Sequence, residues 1–150
     1  MRYLLDTNVI SELLKPRPSQ TVKHWIATAD EDALFLSVIT LTELREGVDR
    51  MPQGQRRSRL QTWLVADLRE RFRDRLVEID ERVADCCGSL HALSVNMGRP
   101  ASYMDAFLAA TAQVHAFTLV TRNVKDFELF EIALINPCVQ RQLETPVNDN

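Results

Sequence analysis

The sequence predicts a single α/β domain in three layers, a central parallel sheet of four to five strands flanked by helices. Three observations carry that prediction. Short, uniformly apolar runs such as Leu34-Phe35-Leu36-Ser37-Val38 alternate with longer segments whose apolar residues recur every three or four positions. The chain has 150 residues, 45% apolar and 26% charged, a size and balance that suit one self-sufficient core. Gly (4) and Pro (6) are scarce, which argues against the many tight turns of an all-β sandwich or barrel.

Tyr3-Leu4-Leu5 is the first strand, stopped by Asp6-Thr7-Asn8, residues suited to turns and helix caps. Val9, Ile10, Leu13 and Leu14 follow with helical spacing until Pro16 and Pro18 end it. Ser19 caps the next helix, with Val22, Trp25 and Ile26 on its apolar face. Residues 34–38 are the second strand, uniformly apolar as a strand buried on both faces must be. Thr40 to Met51 is helical, and Pro52 and Gly54 break it. Leu60, Leu64, Leu68 and Phe72 repeat every four residues on a second, arginine-studded helix. Residues 76–79 read as a short strand. Asp80 caps a helix through Val83, Cys87 and Leu90 that ends at Gly98. Ser102 caps another, carrying Met104, Phe107, Leu108, Thr111 and Val114. Strands at 117–121 and 131–135, with Asp126-Phe127 on the turn between them, complete the sheet. Residues 1–140 form the domain and 141–150 a flexible polar tail.

Composition narrows the function. A net charge of −3 excludes a globally basic nucleic-acid-binding domain but not a local basic patch. Seven arginines between 55 and 75, against Asp67, Glu70 and Asp74, leave that stretch at +4. It reads either as an RNA-contacting surface or as a solvated helix face. Cys86, Cys87 and Cys138 are an odd number with no C-x-x-C spacing, and His24, His91 and His115 stand apart, so neither a disulfide framework nor a zinc site is expected. An acid at position 6 comes too early for a secretory signal, and no apolar run approaches the roughly 18 residues of a membrane span. A cytoplasmic protein without membrane association is expected. There is no P-loop, G-x-G-x-x-G or G-x-S-x-G.

In open parallel sheets, ligands bind beyond the carboxyl ends of the strands. Asp6 follows the first strand, Glu43 lies a helical turn beyond the second, and Asp126 follows the strand at 117–121. Asp105 sits in the first turn of the helix feeding that strand. Each has another reading. Asp6 caps a helix, Thr40-x-x-Glu43 and Ser102-x-x-Asp105 match capping boxes, and Asp126 is a turn residue. Together they place four carboxylates on one rim, where repulsion of about 4 kcal/mol per pair at 4 Å demands protons or a cation. Hard oxygen donors without thiolate or imidazole suit Mg²⁺ or Mn²⁺, and the chemistry they serve best is phosphodiester hydrolysis.

Four segments then carry a resemblance. Leu4-Leu5-Asp6-Thr7-Asn8-Val9-Ile10-Ser11-Glu12, Thr40-Leu41-Thr42-Glu43-Leu44-Arg45-Glu46-Gly47, Asp105-Ala106-Phe107-Leu108-Ala109-Ala110-Thr111-Ala112 and Thr121-Arg122-Asn123-Val124-Lys125-Asp126-Phe127 resemble, in order, the motifs of PIN-domain ribonucleases. The likeness is to toxins of VapBC-type toxin–antitoxin modules, in their FitB-like branch. A Cys138 after Asn136-Pro137, where that branch often has Trp, is a departure that leaves the acids untouched. The resemblance implies a metal-dependent endoribonuclease held in check by a cognate VapB- or FitA-like antitoxin. It implies a homodimer, with partner contacts on the helices of 40–72, and operator DNA reached only through the antitoxin. By the same resemblance Asp6, Glu43 and Asp105 hold Mg²⁺ or Mn²⁺, and Asp126 supports that ion or a second one. Asn8 supports the first ligand, Thr121 orients a water or phosphate, and Arg122 neutralises charge. The alternative is a non-catalytic protein of similar fold that binds RNA or an antitoxin without cutting.

Overall fold

Leu4 and Leu5 are adjacent and both fully buried, yet they enter different cores. Successive side chains of a strand point to opposite faces, so two apolar neighbours require cover on both sides. Leu4 and Leu119 pack with Val83, Cys87, Ala106 and Ala109 on one face. Leu5 and Val120 pack with Ile10, Val22, Leu44 and Phe72 on the other. The three layers follow from that alternation.

The computed structural model describes residues 1–139, so the tail expected at 141–150 lies outside the described residues. The strands are β1 (Tyr3–Leu5), β2 (Leu34–Ser37), β3 (Leu76–Val77), β4 (Thr118–Val120) and β5 (Leu134–Ile135). All neighbouring pairs are parallel, in the order β3-β2-β1-β4-β5, with Tyr3 opposite both Leu34 and Thr118. The helices are α1 (Thr7–Ile10), α2 (Gln20–Thr28), α3 (Val38–Asp49), α4 (Gln55–Thr62), α5 (Leu68–Arg71), α6 (Glu81–Asn96) and α7 (Tyr103–His115). Because the chain builds outward from β1 in both directions, the order reverses between β1 and β4. Open parallel sheets bind their ligands at such a reversal, beyond the carboxyl ends of the strands. Among the described residues no helix is long and apolar enough to cross a membrane.

Helix ends decide several details. Asp80 and Ser102 cap α6 and α7 as expected, their side chains accepting from the Val83 and Asp105 amides. Gly98, at φ +71°, lets the chain leave α6 in the left-handed region. The capping box expected at Thr40 is corrected. Ser37 caps α3 instead, its hydroxyl accepting from the Ile39 amide at 3.0 Å, so the helix starts at Val38 and Thr40 is buried inside it. Val38 and Ile39 are apolar enough to extend a strand, but the serine cap wins.

The helix expected at 60–72 is also interrupted. Residues Trp63–Asp67 form a π-helical turn between α4 and α5. A repeat of four residues lags a 3.6-residue helix by about 0.4 residue per turn, so successive side chains drift around the axis. The wider turn takes up the drift, and Leu64, Leu68 and Phe72 are all buried. The last strand is shorter than expected. Two 3₁₀ turns, Val124–Asp126 and Glu128–Phe130, bury Phe127 and Phe130, and Glu131 adopts φ +54°, leaving Leu134–Ile135 to pair. Likewise, of 76–79 only Leu76–Val77 pair with β2.

Candidate acidic crevice

Asp6 is the last residue to extend β1 and the cap of α1. Its amide donates to the Val120 carbonyl at 2.9 Å, continuing the ladder with β4. Its Oδ1 accepts from the Thr7 amide at 2.7 Å, and its Oδ2 from the Thr121 hydroxyl at 2.8 Å. Capping and site are therefore one arrangement. Only 7% exposed, the carboxyl has its pKa raised chiefly by burial, with the Asp126 charge adding to it and the Thr121 and Thr7 hydrogen bonds opposing.

Glu43 approaches from the second turn of α3, where its Oε1 accepts from the Thr7 hydroxyl at 3.0 Å. Burial raises its pKa first, then the charges of Asp6 and Asp105. Asp105, in the first turn of α7, is raised by burial and then by Asp6 and Asp126. Asp6, Glu43 and Asp105 thus share one electrostatic environment, and Asp126 is exposed on its 3₁₀ turn beside them. Thr7 was missed as a site residue. It follows Asp6 so closely that it reads from sequence as a cap residue only.

The donors fit a hard divalent cation, being carboxylate oxygens gathered where burial penalises their charge. Asp6 is held by Thr7 and Thr121 and Glu43 by Thr7. Among the described residues, no three His, Cys, Asp or Glu side chains converge into a ready-made metal cage.

The buried Thr121 hydroxyl spends its single proton on Asp6 and accepts from the Asn123 amide at 3.0 Å and Asn8 Nδ2 at 3.4 Å. In this arrangement its proton points at the first acid. Asn8 stands behind it, its Oδ1 accepting from the Arg122 amide at 3.2 Å. Arg122 does not float over the acids. Its Nη1 donates to Glu12 Oε2 at 2.6 Å. Glu12 was missed because Glu12 and Lys15, three apart, read as an ordinary surface pair.

On the helices of 40–72, a groove of about 740 Å³ lies away from the acids, lined by Leu36, Leu41, Val65, Leu68, Phe72 and Leu76. Arg69 and Arg73 line it beside Asp67 and Glu70, so its charges balance.

A parallel α/β domain that brings carboxylates beyond its strand ends at the topological switch point defines a class of fold that places its ligand site there. The chain belongs to the PIN-domain family, whose model matches residues 3–131. It is 34% identical to the toxin FitB of Neisseria gonorrhoeae over 134 residues, 89% of this chain and 96% of that protein. It is 37% identical, with the same coverage, to a VapC ribonuclease of Sinorhizobium fredii. A solved structure of FitAB bound to a DNA fragment contains a chain that matches with a TM-score of 0.88 at 31% identity, covering 94% of this chain and 99% of that one.

Proposed function

We propose that this chain is the toxin of a toxin–antitoxin pair and a Mg²⁺- or Mn²⁺-dependent endoribonuclease. The observation that carries this reading is the placement of Asp6 and Glu43, joined through Thr7, beyond the strand ends at the switch point, with Asp105 in the first turn of α7 raised in pKa by the Asp6 charge. Membership of the PIN-domain family and likeness to a protein named a ribonuclease support it. Asp6, Glu43 and Asp105 would hold the ion, with Asp126 beside them as a supporting ligand or for a second ion. Bound there, a divalent cation supplies polarisation of a phosphoryl oxygen and a water of lowered pKa. The chain's own residues do the positioning. Thr121 and the Thr7 amide fix both oxygens of Asp6, the Thr7 hydroxyl steers Glu43, and Asn8 braces Thr121.

The overall charge of −3 agrees with this reading once those four acids are set apart, since −3 less four negative charges leaves +1 on the rest. Partners follow the same reading. The groove on the helices of 40–72, apolar at its base with charges of both signs in its lining, suits the apolar face of an amphipathic antitoxin segment. The FitAB relative is described with DNA bound, which fits operator DNA reached through the antitoxin. A homodimer and action in the cytoplasm complete the proposal.

The test is purified protein incubated with RNA and Mn²⁺, with and without EDTA, beside Asp6→Asn. Metal-dependent cleavage that disappears in the variant supports the enzyme. Retained RNA binding with no cleavage under either metal overturns it in favour of the non-catalytic alternative.

A further inference from the structure

Glu12 is a fifth acid at this rim, and the four-acid site does not use it. It lies on the 3₁₀ turn Ser11–Leu14 that follows α1, only 4% exposed. Its carboxylate is fully engaged. Oε2 accepts from Arg122 Nη1 at 2.6 Å and Lys15 Nζ at 2.8 Å, and Oε1 accepts from the Ser19 amide at 2.8 Å. Lys15 first, then the Ser19 amide, hold its pKa below the usual carboxylate value, so Glu12 is an anion.

Arg122 is consequently gripped twice by the segment that follows Asp6. Its amide donates to Asn8 and its guanidinium to Glu12, 110 positions away in sequence. Its neighbour Thr121 holds Asp6. The bonds form a ring across the crevice, from Asp6 through Thr121 and Arg122 to Glu12 and back along α1. A guanidinium carries five N–H donors, and Glu12 takes one from a side chain that stays 37% exposed. We propose that Glu12 is a positioning residue that fixes Arg122 at the rim, where its unused donors meet a phosphate of the RNA backbone. This rests on the RNA-cleaving reading of the same site.

A purely electrostatic view predicts the opposite sign. Glu12 is a negative charge touching Arg122, so neutralising it should strengthen RNA binding if charge alone mattered. If position matters, the released arginine explores many rotamers and binding weakens.

The experiment measures KM and kcat on a short single-stranded RNA with Mn²⁺ for the wild type, Glu12→Gln, Arg122→Gln and the double variant. Glu12→Gln keeps the shape and the acceptor for Ser19. Each single variant should raise KM about tenfold, with the smaller effect on kcat, the size of a lost charge-assisted hydrogen bond. The double variant should be no worse than Arg122→Gln, because Glu12 acts only through Arg122. Log KM against log salt should lose about 0.7 of its slope in Arg122→Gln, one phosphate contact on a single strand. A lowered or unchanged KM in Glu12→Gln overturns the proposal, as does an additive double variant. Should Glu12→Gln fail to fold by circular dichroism, Arg122→Gln decides alone, and an unchanged KM there overturns it. A wild-type protein that never cleaves RNA with metal is a different result, which defeats the functional reading before any variant is compared.

Discussion

The Thr121 hydroxyl donates to Asp6 Oδ2 at 2.8 Å, joining the carboxyl ends of β1 and β4 at the point where the strand order reverses. Both groups are buried, and the same hydroxyl accepts from the Asn123 amide and from Asn8. Asp6 is therefore not a free side chain waiting for a ligand. Its two oxygens are aimed by the fold, one by a helix amide and one by the neighbouring strand.

Replacing Thr121 by Val keeps the shape and removes the donor. The Asn123 amide and Asp6 each lose a buried partner, so the change should lower stability by about 1–3 kcal/mol, measured by urea unfolding. The Thr121 bond opposes the upward shift of the Asp6 pKa, so its loss raises that pKa further. The acid limb of kcat/KM should move to higher pH, and Thr121→Ser should restore it. A profile that stays in place in Thr121→Val shows that this hydroxyl does not tune Asp6.

The acids should also tax the metal-free fold. Asp6, Glu43 and Asp105 all have raised pKa values, so above their ordinary values of 3.8 to 4.5 the folded chain binds more protons than the unfolded one. Stability then falls as pH climbs from the ordinary to the raised values, and the deficit remains at neutral pH. Glu43→Gln retains an acceptor for the Thr7 hydroxyl. Without metal at pH 7 it should be more stable by about 1 kcal/mol, roughly 2–4 °C in Tm, and the gain should vanish below about pH 4. Saturating Mn²⁺, at a hundred times its Kd, should stabilise the wild type by about 2.7 kcal/mol and the variant by much less. Calorimetry with EDTA and with Mn²⁺ reads both. A variant less stable than wild type without metal contradicts the account.

Much of this was legible in the sequence, and the reasons differ by feature. Asp6, Glu43 and Asp126 follow apolar runs, and parallel topology alone sends them to one rim. Asp105 follows from its place at the start of a helix that feeds a strand. The start of α3 was not legible, because Ser37-Val38-Ile39-Thr40 supports a strand end or a helix start, and both Ser37 and Thr40 could cap it until the Ile39 amide is seen to bond Ser37. The π-helical turn was hidden inside a regular four-residue repeat. Glu12 and Arg122 meet only after β4 docks beside β1, a contact no local pattern announces.

The opposite pH behaviour is expected at the other end of β2. Glu31 accepts two bonds from Arg71, at 2.7 and 2.9 Å, and a third from Arg75. Its pKa is lowered, Arg71 being the main cause, so its contribution is present above the ordinary 4.5 and lost as pH falls through the lowered value. Glu31 is nearly half exposed, so Glu31→Gln should lower stability by less than about 1 kcal/mol. Arg75 is different. Only 15% exposed, it also donates to the Glu31, Leu34 and Arg71 carbonyls. Arg75→Met removes all three bonds, the one to the half-buried Leu34 carbonyl being the costly loss, and should lower stability by about 1–2 kcal/mol in urea. Equal effects of the two substitutions would mean that the ion pair, not the carbonyl clamp, secures this corner.

Thr40 offers a test in the stabilising direction. It is fully buried on α3, and its hydroxyl is one of two buried side-chain polar atoms without a partner among the described residues, the other being His115 Nε2. A buried hydroxyl that makes no hydrogen bond forfeits its hydration with nothing in return. Valine has the same branched shape, so Thr40→Val removes the penalty without opening a cavity or crowding the helix. Stability should rise by about 1 kcal/mol, read as a higher urea midpoint at unchanged m-value. A fall instead would mean that the hydroxyl is hydrogen-bonded in solution, through an ordered water or through the ligands that the acids one turn away on α3 collect.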